Sequence, residues 1–193
     1  FGMERIFTII SKVKNFSMRY MLRIICYAVI LLWPLMFFAI YMQKNTRVEA
    51  TYWIYNHIPE QSLLLNEYWD DGLPLAIDFN KQYRQQALTV FDSDSQEKMR
   101  KITQQLTQGD YYILSSNRAY GSITAVPERY PLTSRFYGRL FEGKLDYSLV
   151  KEFTSYPSLR WLGIPLDFHD QWAEEAFTVY DHPKVMIYKK NTT

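Results

Sequence analysis

The apolar positions of the chain fall into one long uninterrupted run and a series of short ones. From Ile24 to Met42 the chain carries no charge, and at about 1.5 Å of rise per residue a helix of that length spans a hydrocarbon layer about 30 Å thick. Pro34 removes one helical hydrogen bond, which a membrane helix tolerates as a kink. Tyr20, Tyr27, Trp33 and Tyr41 supply aromatic groups of the kind that settle at a membrane–water boundary. The pattern predicts a transmembrane helix over residues 20–43. A buried core helix rarely runs so far without a polar face. A cleavable signal peptide has a shorter apolar core and a small-residue cleavage site, which is missing before Gln43. Upstream, Ile6, Ile9, Ile10, Val13 and Phe16 recur at helical spacing among Arg5, Lys12 and Lys14. Residues 4–18 therefore read as an interfacial amphipathic helix within a cytoplasmic segment 1–19, or as the tail of an earlier membrane helix.

Beyond Arg47 the runs shorten and change period. Val48–His57 has apolar and aromatic residues at helical spacing and stops at Ile58-Pro59, because the residue before proline is held out of the helical region. SLLLNEYW (62–69) is a candidate strand. Gly72 and Pro74 mark a bend, and Ala87–Phe91 reads as a short buried strand. Asp92 to Ser95 offers capping oxygens ahead of Met99, Ile102 and Leu106, which share one helical face, and Gly109 ends that helix. DYYILS (110–115) is the clearest strand. The chain then turns through Asn117, Gly121 and Pro127, resumes as a helix over Leu132–Phe141 and stops at Gly143. Tyr147–Ser155 is the next strand, and Phe177–Tyr180 and Val185–Lys189 are two short strands joined through Asp181-His182-Pro183. The expected fold class is α/β: one N-terminal transmembrane helix, then a layered α/β domain over 47–193 closed by a C-terminal β-hairpin.

Charge divides the chain at the same place. Residues 1–47 carry seven Lys or Arg against Glu4 alone, while the remainder carries 15 Lys or Arg against 19 Asp or Glu. Basic residues crowd the N-terminal flank of the apolar run, which places that flank in the cytoplasm and the following domain outside the cell membrane. A mildly acidic domain without a basic stripe gives no support for nucleic-acid binding. The single Cys26 lies inside the apolar run, so the outer domain forms no disulfide, and His57, His169 and His182 are too scattered for a zinc site. No cofactor is called for.

Glycine-rich phosphate loops, nucleophile elbows and paired metal histidines are all missing. Asp70-Asp71, after Trp69, can serve as an acid/base pair or sugar ligand, but neighbouring acids ahead of a glycine such as Gly72 are more often turn residues. Glu174-Glu175 reads as a solvated helix face. Asp181-His182 reads as a hairpin turn, since neighbours in a strand point to opposite faces and do not readily share one proton. The richest stretch is 115–137, where Arg118, Arg129 and Arg135 are interleaved with Tyr120, Tyr130, Phe136 and Tyr137. Arginine forks take phosphate or carboxylate and aromatic faces stack on sugars, whereas the plain alternative is surface ion pairing above core tyrosines.

The phrases WIYNHIPEQSLLLNEYWDDGLPL (53–75), DYYILSSNRAYGSI (110–123), PERYPLTSRFYGRLFEGKLDYSLVKEFTSYPSL (127–159) and AEEAFTVYDHPKVMIYKK (173–190) are spread in order over most of residues 50–190. Together they resemble the C-terminal extracytoplasmic region of bacterial and archaeal family 39-like glycosyltransferases, the dolichyl-phosphate-mannose-protein mannosyltransferase-like enzymes that use polyprenyl-phosphate sugars. The resemblance implies the terminal piece of such an enzyme, as does a first residue that is Phe1 and not Met. It implies an outer domain that covers the active site or receives the acceptor, and membrane lipid, a lipid-phosphate sugar and a glycan or protein acceptor as partners. That family's catalytic acid lies in an early outward loop of a many-helix core, so no catalytic residue is carried over and this chain alone is expected to be inactive. Substrate-binding candidates are Arg118, Arg129 and Tyr130, then Trp69 and Asp70. The alternative is a free-standing single-pass protein whose outer domain binds a glycan or a partner subunit.

Overall fold

Two runs, Leu63-Leu64-Leu65 and Tyr111 to Leu114, are apolar at every position, the mark of strands covered on both faces. In the computed structural model, which describes residues 2–77 and 81–191, these are the two central parallel strands of a five-stranded sheet. The chain divides into two units by its internal contacts, Phe1–Met42 with Tyr156–Phe168, and Gln43–Ser155 with His169–Thr193.

In the first unit, α1 (Gly2–Ser11) precedes α2 (Phe16–Tyr41). The single amphipathic helix expected over 4–18 is interrupted, because the Asn15 side chain accepts the Met18 amide at 3.2 Å and starts a new helix. Phe16 therefore belongs to α2. Phe7 of α1 meets Tyr27 of α2 with ring centroids 5.3 Å apart. Pro34 lies inside α2, whose buried positions Met36, Ala39 and Ile40 share one face. This helix is long and apolar enough to cross a membrane.

In the second unit, α3 (Thr46–His57) leads to β1 (Leu63–Glu67), β2 (Arg84–Leu88), α4 (Gln96–Gln108), β3 (Tyr111–Leu114), α5 (Arg118–Thr124), α6 (Pro131–Phe141), β4 (Tyr147–Phe153), α7 (Glu175–Thr178) and β5 (Val185–Lys190). The sheet order is β2-β1-β3-β5-β4, with β1 parallel to β2 and β3, and β5 antiparallel to β3 and β4. Strand alternation sorts the core into two layers. Leu65, Tyr112, Leu114, Met186 and Tyr188 pack on the face that includes Ile102 of α4, Ile123 of α5 and Tyr137 of α6. Leu64, Ile113, Val185 and Ile187 pack with Ala50 and Ile54 of α3 on the other.

Three expectations are corrected. The second strand is Arg84–Leu88 and not 87–91: it is an edge strand whose backbone pairs with β1 while Arg84, Gln85 and Ala87 face solvent, so apolar content misplaces it. The turn expected through Asn117 and Gly121 is the helix α5, which buries Ala119 and Ile123. Among the described residues no C-terminal hairpin forms, since residues 175–178 are the short helix α7 and β5 pairs with β4 instead. Thr178 is held there by its hydroxyl, which donates to Asn117 Oδ1 at 3.2 Å.

The end of α4 comes very close to β1. A Cβ at Gly109 would stand 2.4 Å from Cδ1 and 2.5 Å from Cγ of the fully buried Leu65. Overpacking of this kind costs about 1–3 kcal/mol. We expect Gly109→Ala to lower the denaturant midpoint of the full chain by a corresponding amount, read by near-ultraviolet circular dichroism in detergent.

Candidate functional site

Parallel strands end their ladders with carboxyl termini on one edge, and in open α/β sheets ligands bind outside that edge where neighbouring connections diverge. Here the edge gathers the segment after β1, the segment after β3 and the residues leading into β5. Tyr68 and Trp69 emerge from β1, both more than half exposed. Trp69 has φ +78°, a left-handed conformation that is costly for a bulky residue and is the kind of distortion that collects at functional sites.

Asp70 follows and is tied inward. Its carboxylate accepts Arg47 Nη2 at 3.0 Å, the Asp71 amide at 2.9 Å and the hydroxyl of Ser116. Arg47 also donates from Nε to the Ser115 carbonyl at 3.2 Å and lies 3.3 Å from the exposed Asp71 carboxylate through Nη1. Ser116 in turn accepts the Arg118 amide at 3.0 Å. The Arg118 guanidinium reaches back over the edge: Nη1 donates to the Trp69 carbonyl at 2.6 Å and Nη2 to the Tyr180 hydroxyl at 3.2 Å. It also lies over the Tyr180 ring, 5.5 Å from the centroid, with Glu175 3.9 Å from Nε. A shallow groove of about 360 Å³ opens beside these residues, lined by Asn66 to Asp70, Gly72 and Gln85 to Ala87.

Glu67 lies beneath. Strand alternation turns it to the α5–α6 face, where Tyr112 and Tyr137 both donate to Oε1, at 2.6 and 2.5 Å, and Oε2 has no hydrogen-bond partner among the described residues. Burial raises its pKa to about 7; the two phenol donors pull it down and the Asp70 charge pushes it up. Burial and the Glu67 charge hold both phenols well above their ordinary value, so they remain donors.

The expected site residues thus separate. Trp69, Asp70 and Arg118 come together at the sheet edge. Arg129 and Tyr130 belong to a different cluster at the start of α6, where Arg129 and Lys98 each lie 5.5 Å from the Tyr130 ring centroid and Asp94 accepts the Leu132 amide at 2.7 Å. His182 is buried against Asp170 at 2.9 Å, and the carbonyl of Asp181 accepts the Asn45 side chain at 3.4 Å, so the two neighbours serve different partners. Pattern reading passed over Arg47, Glu67, Ser116, Asp170 and Tyr180. Among these only Glu67 has a legible signal, an acid closing a strand that opens with three leucines.

A larger groove, about 480 Å³, runs between α4 and α6 with Met99, Leu106, Leu132 and Phe136 as apolar lining and Arg135 and Arg139 beside them. It lacks the left-handed backbone and the converging side chains of the sheet edge, and the edge is the better-built site. No cluster of three metal-ligating side chains occurs among the described residues. Exposed aromatic faces beside a carboxylate and a guanidinium have the chemistry to take a sugar that carries a negative charge: rings can cover an apolar face, the Asp71 carboxylate can accept from hydroxyls, and Arg118 can donate to phosphate or carboxylate.

No family model, no curated protein and no solved structure matches this chain.

Glu67 makes stability depend on pH with a definite sign. The folded state holds this proton more tightly than the unfolded chain, whose carboxyl titrates near 4.5. The contribution is complete below that value and is lost as pH rises through about 7. The difference corresponds to about 3 kcal/mol. Denaturant unfolding at pH 5 and pH 8 should show the loss, and Glu67→Gln, which stays neutral, should flatten it.

Proposed function

We propose that this chain is the terminal membrane helix and outer domain of a membrane glycosyltransferase that uses a polyprenyl-phosphate-linked sugar, and that the sheet edge at Trp69, Asp71, Arg118 and Tyr180 receives the charged headgroup or the acceptor. The observation that carries the reading is the position of Arg47. It follows Tyr41, the last residue of α2, by six residues and is itself built into the site. A lipid-linked substrate presents its phosphate and sugar at the membrane surface, and an edge so close in sequence to the end of a spanning helix is suited to meet it. The resemblance of the ordered phrases to family 39-like enzymes motivates the same reading.

The proposed topology rests on Arg5, Lys12, Lys14, Arg19 and Arg23 on one flank of the apolar run. On the other side Lys44 and Arg47 come first, and Arg47 is consumed in a buried ion pair. The N-terminus is therefore cytoplasmic and the domain extracytoplasmic. Transfer from a lipid phosphate needs the acid or base, the phosphate-binding cations and the headgroup held together, and that positioning supplies much of the rate. One helix does not enclose such a cavity, so the catalytic groups lie elsewhere in the enzyme and the outer domain binds.

In the intact enzyme, Arg118→Ala should raise KM for the lipid-linked sugar or acceptor about tenfold, the scale of one hydrogen bond to a charged group. Arg129→Ala should leave KM unchanged. Equal effects of the two, or none from Arg118, would overturn the assignment of the edge. A chain that binds soluble glycans calorimetrically at this edge but ignores lipid-phosphate sugars would instead support the reading as a single-pass glycan-binding protein. An alkaline phosphatase fused after Thr193 should be active in a bacterial host, and a reporter active there only in the cytoplasm would reverse the topology.

A further inference from the structure

The segment 156–168, YPSLRWLGIPLDF, belongs to the same unit as α2 and is not part of the sheet. It folds as a tight loop with a 3-10 turn at Arg160–Leu162 and a left-handed Gly163. Leu159 is buried, but Trp161, Leu162, Ile164, Leu166 and Phe168 are each between 39% and 49% exposed. Five neighbouring apolar side chains held open in this way are unusual on a surface that meets only water.

The loop is joined to α2 well inside the uncharged run. The Ser158 amide donates to the Met36 carbonyl at 2.8 Å and the Trp161 indole to the Leu35 carbonyl at 3.3 Å. The Trp161 ring lies 6.0 Å from Phe38 and the Phe168 ring 5.0 Å from Trp33. Leu35 precedes the end of the run at Met42 by about 10 Å of helix.

The loop's own polar groups are largely paired. The Leu159 amide donates to Leu166 at 2.9 Å, Ile164 to Leu159 at 3.2 Å and Phe168 to Pro157 at 2.8 Å. Its only charges, Arg160 and Asp167, neutralise each other: Nε lies 2.8 Å from both carboxylate oxygens, and the Ser158 hydroxyl adds a bond to Asp167 at 2.7 Å. Non-helical backbone at membrane depth is tolerated only where protein covers its polar groups, and here the loop's internal bonds and its seat on α2 supply that cover.

We infer that residues 156–168 form a second membrane-contacting element, seated among the acyl chains and headgroups of the outer leaflet beside the last turns of α2. This rests on the reading that α2 crosses the membrane. The partner is lipid and not a second polypeptide, because the exposed side chains of the loop continue the exposed apolar surface of Leu35 and Phe38 on the helix to which it is bonded. Insertion about 5–10 Å below the surface is the range for interfacial elements, and it matches the depth set by Leu35 and Met36.

The test uses the full chain in phosphatidylcholine/phosphatidylglycerol vesicles on a Cys26→Ser background. Nitroxides are placed by Leu162→Cys or Ile164→Cys, with Val29→Cys on the helix and Ser93→Cys on the domain as references. The ratio of oxygen to nickel-chelate collisions at 162 and 164 should resemble that at 29, severalfold above that at 93, with mobile spectra. A ratio like that at 93, with 29 still lipid-like, would overturn the loop assignment and leave the helix reading intact. Immobile labels shielded from both reagents would show a protein partner and also overturn it. A water-like ratio at 29 would defeat the helix reading itself.

Discussion

The buried ion pair of Arg47 with Asp70 ties together parts of the fold that sequence keeps apart. Arg47 stands in the first turn of α3, Asp70 just past β1, and Ser115, whose carbonyl Arg47 also holds, at the end of β3. One guanidinium thereby fixes the distance between α3 and the carboxyl ends of two parallel strands. Side-chain exposures of 9% and 3% mean that neither charge has water to fall back on, and breaking such a pair from one side leaves an uncompensated charge worth about 3–5 kcal/mol. Ser116 extends the tie to α5, since its hydroxyl serves Asp70 while its oxygen takes the amide of Arg118. The orientation of Arg118 toward Trp69 and Tyr180 follows from that chain of contacts.

Elements with strong local instructions were legible from sequence. Ser95 caps α4 through the Lys98 amide at 3.1 Å and Gly109 closes it, as capping chemistry and periodicity indicated. Tyr111–Leu114 and Pro131–Phe141 likewise match their patterns to within a residue or two. Elements whose reasons lie in tertiary contacts were not. β2 is a strand because β1 offers a free ladder, and α5 is a helix because Ala119 and Ile123 have a core to enter. Residues 177–180 have the composition of a strand, yet Asn117 and the turn before β5 keep them off the sheet.

The site was half legible for a related reason. Residue types with obvious chemistry, Trp69, Asp70 and Arg118, could be singled out one by one, but nothing local says that positions 47, 70, 116, 118 and 180 share one edge. That assembly is a property of parallel topology, which gathers the ends of distant strands. Arg129 and Tyr130 illustrate the converse, since closeness in sequence to Arg118 did not bring them to the same place. Arg47 was legible only as a positive charge flanking an apolar run, and its burial reverses that meaning.

One of the two edge strands has a consequence for how many copies of this domain can share a surface. Among the described residues β2 pairs on one side only, and Arg84 and Gln85 give it polar side chains. Strand edges with smooth apolar cover recruit one another into extended sheets, whereas charge and amide groups along an edge oppose that. On the proposed reading of α2 as a membrane span, the domain is confined to two dimensions, where neighbours collide far more often than in bulk solution. Under such crowding the plain chemistry of Arg84–Leu88 acts as a safeguard against aggregation, and substitutions there toward Val or Ile would trade solubility for an apolar cover the fold does not require.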